Sequence, residues 1–171
     1  MPKQNAIAVL KADHAAVKKL FAQEQRAANQ DDEKKQNIFH QIENALTVHA
    51  TIEEEIFYPA VKKAREEHVQ DEVREAYEEH QQMKNLIAQL ARITPGDETW
   101  EMKVKVLRED VEHHVKEEEG EMFPDARKFL GEKRLVALGA ELQARKQELE
   151  DNLLSRPSHH RHGAFTSPNN V

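Results

Sequence analysis

At 171 residues the chain is long enough for one domain with a substantial core, and 38% hydrophobic and 33% charged residues with only 5 Gly and 6 Pro favour helices. A formal charge of −7 with no basic stripe argues against nucleic-acid binding, and zero cysteines exclude disulfides, thiolate metal sites and cysteine nucleophiles. No apolar run resembles a signal peptide or approaches the ~20 residues of a membrane span, so a soluble, cytoplasmic protein is expected, monomeric or a weak homodimer.

The first predicted helix carries Ile7, Leu10, Val17 and Phe21 at helical spacing, with His14 on the same stripe. "NQDDEKK" at 29–35 ends it, and Asp31 or Asp32 is placed to cap the next. The second helix has Ile38, Ile42, Ala45, Ile52 and Ile56, with His49 and Glu53 in line. Pro59 lacks a backbone donor and collides one turn back, so this helix should end or kink there. The charged stretch "EEHVQDE" at 66–72 is read as the joint to a third helix, in which Val73, Ala76, Met83, Ile87 and Leu90 bracket His80. "TPGDETW" at 94–100 supplies a turn, with Asp97 as the cap of a fourth helix. That helix holds Val104, Leu107 and Val111, then His114 and Glu118, and Pro124 repeats the role of Pro59. "LGEK" at 130–133 marks a further break. Leu135, Leu138, Leu142, Leu149 and Leu153 then predict a fifth helix. The expected layout is a bundle over 1–130, an accessory helix over 131–155 and a disordered tail over 156–171.

The first four helices read as two copies of one helix pair. His49 and His114, Glu53 and Glu118, Glu54 and Glu119, and Pro59 and Pro124 are each 65 residues apart, and His14 and His80 are 66 apart. Short connections make neighbours antiparallel, which predicts an all-α, up-down-up-down four-helix bundle with an additional C-terminal helix. Positions four apart stack on one helical face, so His49 with Glu53, and His114 with Glu118, point into the bundle beside His14 and His80. Burying six such groups without partners is very costly. A pair of metal ions removes that cost. Imidazole and carboxylate donors without sulfur suit iron or manganese, and also zinc. Two carboxylates from different helices can each bridge two ions, leaving positions for an oxo or hydroxo bridge and for an exogenous ligand.

The order His14, His49-x-x-x-Glu53, His80, His114-x-x-x-Glu118, with "YP" and "FP" following, resembles the hemerythrin-like (HHE cation-binding) domains over about residues 5–130. The resemblance implies a non-haem di-iron site in which the four histidines are terminal ligands and Glu53 and Glu118 bridge two iron ions. Its ligands would be dioxygen, hydrogen peroxide or nitric oxide. The oxygen-carrying hemerythrins have another histidine one turn before the third-helix ligand and an aspartate five residues after the fourth-helix histidine. Here those features are replaced by Ala76 and by Glu118, four residues on. Tyr77, three residues before His80, is the candidate additional ligand, with Glu54 or water as alternatives. A site with fewer protein ligands should be more open, which favours peroxide or redox chemistry, such as catalase-like peroxide decomposition, over oxygen carriage. The alternative is an iron, oxygen or redox sensor that signals to a partner without turnover.

Other polar residues carry simpler expectations. Glu54, Glu55, Glu117 and Glu119 read as a solvated acidic face, with Glu54 and Glu119 able to accept hydrogen bonds from behind the ligands. His40, His68 and His113 fall off the stripes, and His159, His160 and His162 lie in the tail. Tyr58, Phe123 and Trp100 read as core packing. The fifth helix either covers a groove of the bundle or presents Leu149, Leu153 and Leu154 to a partner.

Overall fold

The computed structural model describes residues 4–27 and 31–155, and within them every regular element is helical. Helix α1 spans Ala6–Arg26, α2 Asp32–Ile52, α3 Tyr58–Val61, α4 Glu67–Leu90, α5 Glu98–Glu117 and α6 Phe123–Leu154. Asn5, Asp31 and Asp97 cap α1, α2 and α5 through side-chain oxygens that accept from Ala8, Lys34 and Thr99 main-chain N–H groups at 3.0, 2.9 and 2.7 Å. The four long legs α1, α2, α4 and α5 form the bundle. The tail, with His159, His160 and His162, lies outside the described residues.

Neither proline stops its helix. Each is preceded by a π turn, Glu53–Phe57 ahead of α3 and Glu118–Met122 ahead of α6. The Tyr58 N–H reaches back to the Glu53 carbonyl and that of Phe123 to Glu118, one residue further than in an α-helix. The extra residue opens the turn just where the proline ring would otherwise strike a carbonyl. It also leaves the Glu54 carbonyl short of a main-chain donor, because the residue five on is Pro59. The Tyr77 hydroxyl donates to that carbonyl at 3.1 Å.

The joint after this leg is tighter than the sequence suggests. Lys62–Ala64 form a 3-10 turn, Arg65 adopts φ 60°, and α4 starts at Glu67. The stretch 66–72, read from its charge as a linker, is therefore mostly the first turns of α4. Val69, fully buried, starts the apolar stripe one turn earlier than Val73.

The apolar core falls into two clusters. One gathers Leu10, Ile52, Phe57, Val73, Phe123 and Leu138; the other gathers Val17, Leu46, Met83, Trp100, Leu107 and Val111. Each bundle leg, α5 taken together with the π turn that continues it, passes from one cluster to the other, in alternating direction. His14, His49, His80 and His114 mark the crossing on each leg, so they form one polar layer between two greasy ones. Trp100 packs edge-on against Phe39 in the second cluster, as expected of a core residue.

Helix α6 bends at Gly131 (φ 73°, ψ 161°), inside the predicted break at 130–133. It then runs beside α1, with Leu135, Leu138 and Leu142 fully buried. Its approach depends on Gly139: a Cβ there would sit 2.1 Å from the Gln4 carbonyl oxygen. The fifth helix thus covers a groove of the bundle, while Leu154 remains 84% exposed.

Candidate metal centre

The polar layer brings His14, His49, Glu53, His80, His114 and Glu118 together, each no more than 6% exposed. Two groups of ligand-type atoms form within it. His14, His49, Glu53 and Glu118 make one, and Glu53, His80 and His114 make the other. Glu53 belongs to both. Its Oε1 lies 3.2 Å from His49 Nε2 and its Oε2 3.3 Å from His80 Nε2. Glu118 Oε2 lies 3.2 Å from His14 Nε2 and 3.6 Å from His114 Nε2.

Every imidazole turns Nε2 inward and Nδ1 toward a carboxylate, within hydrogen-bond distance for His14, His80 and His114 and slightly beyond it for His49. Glu119 faces His14 at 2.9 Å, Asp13 faces His49 at 3.6 Å, Glu54 faces His80 at 2.8 Å and Glu79 faces His114 at 2.6 Å. A carboxylate behind a ring fixes its tautomer and orientation and makes the inward nitrogen a better donor to metal. Cations stand behind three of the four. Lys146 of α6 bonds Asp13, Lys84 lies 2.6 Å from Glu54, and Lys11 lies 3.4 Å from Glu119.

The sequence pointed to Glu54 and Glu119 in this role but not to Asp13 and Glu79. The repeat contained the signal. Asp13 and Glu79 each immediately precede a lone histidine, in "DH" and "EH", and are 66 residues apart, as His14 and His80 are.

Tyr77 does not enter the layer, because its hydroxyl is held at the Glu54 carbonyl. The phenol that does enter is Tyr58, fully buried. Its hydroxyl lies 2.8 Å from Glu118 Oε1, 3.3 Å from Glu53 Oε2 and 3.2 Å from His80 Nε2. Residues five apart diverge by about 140° on an α-helix but stack across a π turn. Tyr58 therefore sits over Glu53, and Phe123 likewise follows Glu118 to stack on His14 at 5.8 Å.

The charges of the layer oppose one another. Burial pushes the His49 imidazole down to about 4, and it lowers His80 as well. At His14 and His114 burial is outweighed by nearby carboxylates, Glu118 foremost, and both rings are held above their ordinary value. Burial and the Glu118 charge raise the Glu53 carboxyl well above the usual range. Against the same burial, His114 and His14 hold Glu118 below it. Burial and both carboxylates keep the Tyr58 phenol protonated, so it donates.

Whether the residues suit a metal is decided by their unmet bonding capacity. His14 Nε2, His49 Nε2, Glu53 Oε1 and Glu118 Oε2 are all buried and all lack a hydrogen-bond partner among the described residues. Native interiors hold only a few such atoms per hundred residues, and four converging at one place match the donor set a cation requires. Beside them lies a cavity of about 160 Å³ lined by the four histidines and by Val17, Leu46, Met83, Ile87 and Val111, with Thr47 and Lys84 among its few other polar neighbours.

The fold and this layer define a metal-binding helical bundle. The chain belongs to the hemerythrin HHE cation-binding domain family, whose model matches residues 5–126. It is 32% identical over 85% of its length to a protein of Nostoc sp. named DNA nickase, and it spans only 40% of that relative's length. It is 27% identical to the uncharacterized protein Rv2633c of Mycobacterium tuberculosis, covering 88% of this chain and 90% of that one. The crystal structure of an HHE domain-containing homologue of Rv2633c from Mycobacterium kansasii superposes with a TM-score of 0.74 at 25% identity, covering 88% of this chain and 90% of that one. No helix among the described residues is long and apolar enough to cross a membrane.

Proposed function

We propose that the layer holds two iron ions, with His14 and His49 serving one, His80 and His114 the other, and Glu53 and Glu118 shared, and that the loaded protein decomposes hydrogen peroxide. The observation that carries this is the sharing of Glu53 between two donor groups, with each imidazole nitrogen turned to the same side. Mixed nitrogen and oxygen donors suit iron, which supplies redox chemistry toward peroxide, dioxygen or nitric oxide.

The chain's own residues set the rest. The carboxylates behind the rings keep Nε2 free for metal. The Tyr58 hydroxyl, its oxygen 2.8 Å from Glu118 Oε1, donates its proton there and fixes which oxygen of that carboxylate faces the histidines. The cavity wall is apolar enough to admit a small neutral molecule while keeping bulk water out. Its size, comparable to cavities that take up xenon or benzene, suits a molecule of a few heavy atoms. It does not suit a nucleic-acid backbone. For that reason, and because of the net charge of −7, we do not extend the nicking named for the Nostoc relative to this chain.

Iron-loaded protein should evolve oxygen from hydrogen peroxide, and His80→Ala should abolish that evolution while leaving the protein folded. Iron-loaded wild type that evolves no oxygen contradicts peroxide decomposition. A sensor is the second reading, favoured by the line His49, Asp13, Lys146, which ties the centre to α6. It predicts a change in hydrogen exchange along α6 on adding nitric oxide or dioxygen to the ferrous protein, with no turnover.

A further inference from the structure

On the face of the centre away from the apolar cavity, α4 and the segment from α5 through the second π turn enclose a narrow groove. Its walls are Glu72, Glu75 and Glu79 on α4, and Glu117 and Glu121 opposite, and Glu118 is at its floor. No lysine or arginine among the described residues lines it. Six carboxylates line a space of about 40 Å³ and repel one another; at Glu72, burial first, then Asp125 and Glu121, push the carboxyl above its ordinary value.

Three further observations bear on what occupies this groove. Glu118, 1% exposed, borders the groove and also belongs to the layer, where its Oε2, unpartnered among the described residues, faces His14 at 3.2 Å and His114 at 3.6 Å, so the groove meets the centre at this side chain. Glu72 Oε2 is also buried and unpartnered among the described residues. An imidazole with two carboxylates stands at each end. His68 lies 2.6 Å from Asp125 beside Glu72, and His113 lies 3.0 Å from Glu117 beside Glu79. Glu72 and Glu79 are seven residues apart on one helix, about 10 Å, so the two clusters form successive stations along the groove.

We infer that this groove is the route by which divalent metal ions reach the buried layer: a cation is captured at the His68 or His113 station, sheds water against the wall carboxylates, and passes over Glu118 into the centre. A cleft walled by one sign of charge concentrates the opposite ion and speeds its entry. The chemistry selects a hydrated divalent cation over a neutral or anionic ligand. The wider groove on the other side of α5 is of mixed charge, with Lys11, Lys18 and Lys116 beside Glu112 and Glu119 and with His14 within, so it lacks this selectivity. The inference rests on the proposed metal role of the buried layer.

The test is the rate of metal uptake by the metal-free full chain, mixed anaerobically with ferrous ion or with cobalt(II) and followed by absorbance, with bound metal counted at the end. Glu72→Gln, Glu75→Gln and Glu121→Gln combined remove wall charges without touching a histidine of the layer. Loading should slow about tenfold at low salt, with the difference shrinking at high salt and the final stoichiometry unchanged. The control combines Glu33→Gln, Glu98→Gln and Glu109→Gln, exposed sites elsewhere that change net charge equally; it should load at the wild-type rate. Wild-type loading in the groove variant, or equal slowing in the control, overturns the route while leaving the centre intact. A wild-type chain that takes up no metal overturns both.

Discussion

Replacing Tyr58 by Phe removes one oxygen atom from the fully buried layer and nothing else. The hydroxyl donates to Glu118 Oε1 at 2.8 Å, and that carboxylate is held ionised by His114 and His14. A hydrogen bond to a charged group contributes about 1.5–3 kcal/mol. For a domain of this size each kcal/mol moves the melting temperature by about 2–4 °C, so Tyr58→Phe should lower it by roughly 3–12 °C. Tyr77→Phe is the matched control. It removes a neutral bond of 3.1 Å at a half-buried site, contributing about 0.5–1.5 kcal/mol or roughly 1–6 °C. Tyr58→Phe should also speed loss of metal to a chelator by about 10–100-fold, since Glu118 would lose the partner that orients it. Thermal melts and chelator-release kinetics on the loaded variants give both readouts. If Tyr58→Phe melts and releases metal like wild type, or if Tyr77→Phe is the more damaging change, the placement of Tyr58 as the donor that fixes Glu118 is wrong.

Glu53 belongs to both donor groups and His49 to one, so His49→Ala should bind about one metal fewer per chain while Glu53→Ala loses most of both, as elemental analysis will show. Removing metal should lower the melting temperature by roughly 8–16 °C relative to protein held at a free-metal concentration about 1,000 times Kd, where linkage gives about 4 kcal/mol. Glu79→Gln withdraws the carboxylate from His114 Nδ1 and should weaken metal affinity by about 10–100-fold in a competition titration, with the melt of the metal-free protein changed far less. Gly139→Ala places a Cβ against the Gln4 carbonyl oxygen; the overpacking, about 1–3 kcal/mol, should exceed the helix-propensity gain of about 1 kcal/mol and give a net loss in thermal melts.

Most of the layer was legible in the sequence, because the six main residues obey the 3.6-residue period of an ordinary helix and recur in a second copy. The family resemblance rested on the same residues, and the match over 5–126 bears it out. Tyr58 was not legible by that period. Five residues from Glu53, it points away in an α-helix and comes inward only through the π turn that Pro59 favours. Tyr77, which the period does place near His80, is drawn instead to the carbonyl that the same proline leaves without a donor. Asp13 and Glu79 were hidden for another reason. Each lies beside a histidine of its own helix but faces the histidine of a neighbouring one, so the repeat marks the pair while only packing tells which ring each faces. The start of α4 was masked by its charge, since "EEHVQDE" reads as a linker until Val69 is seen to be buried. The docking of α6 depends on the bend at Gly131 and the close approach at Gly139, and neither glycine specifies a direction on its own.

The measurement that bears most directly on the whole account is the metal content of the purified chain after expression in iron-replete medium, read with its near-ultraviolet spectrum. Two iron ions per chain with the charge-transfer bands of a bridged ferric pair are predicted. One metal or fewer per chain, or zinc alone, would contradict a shared two-iron centre at Glu53 and Glu118.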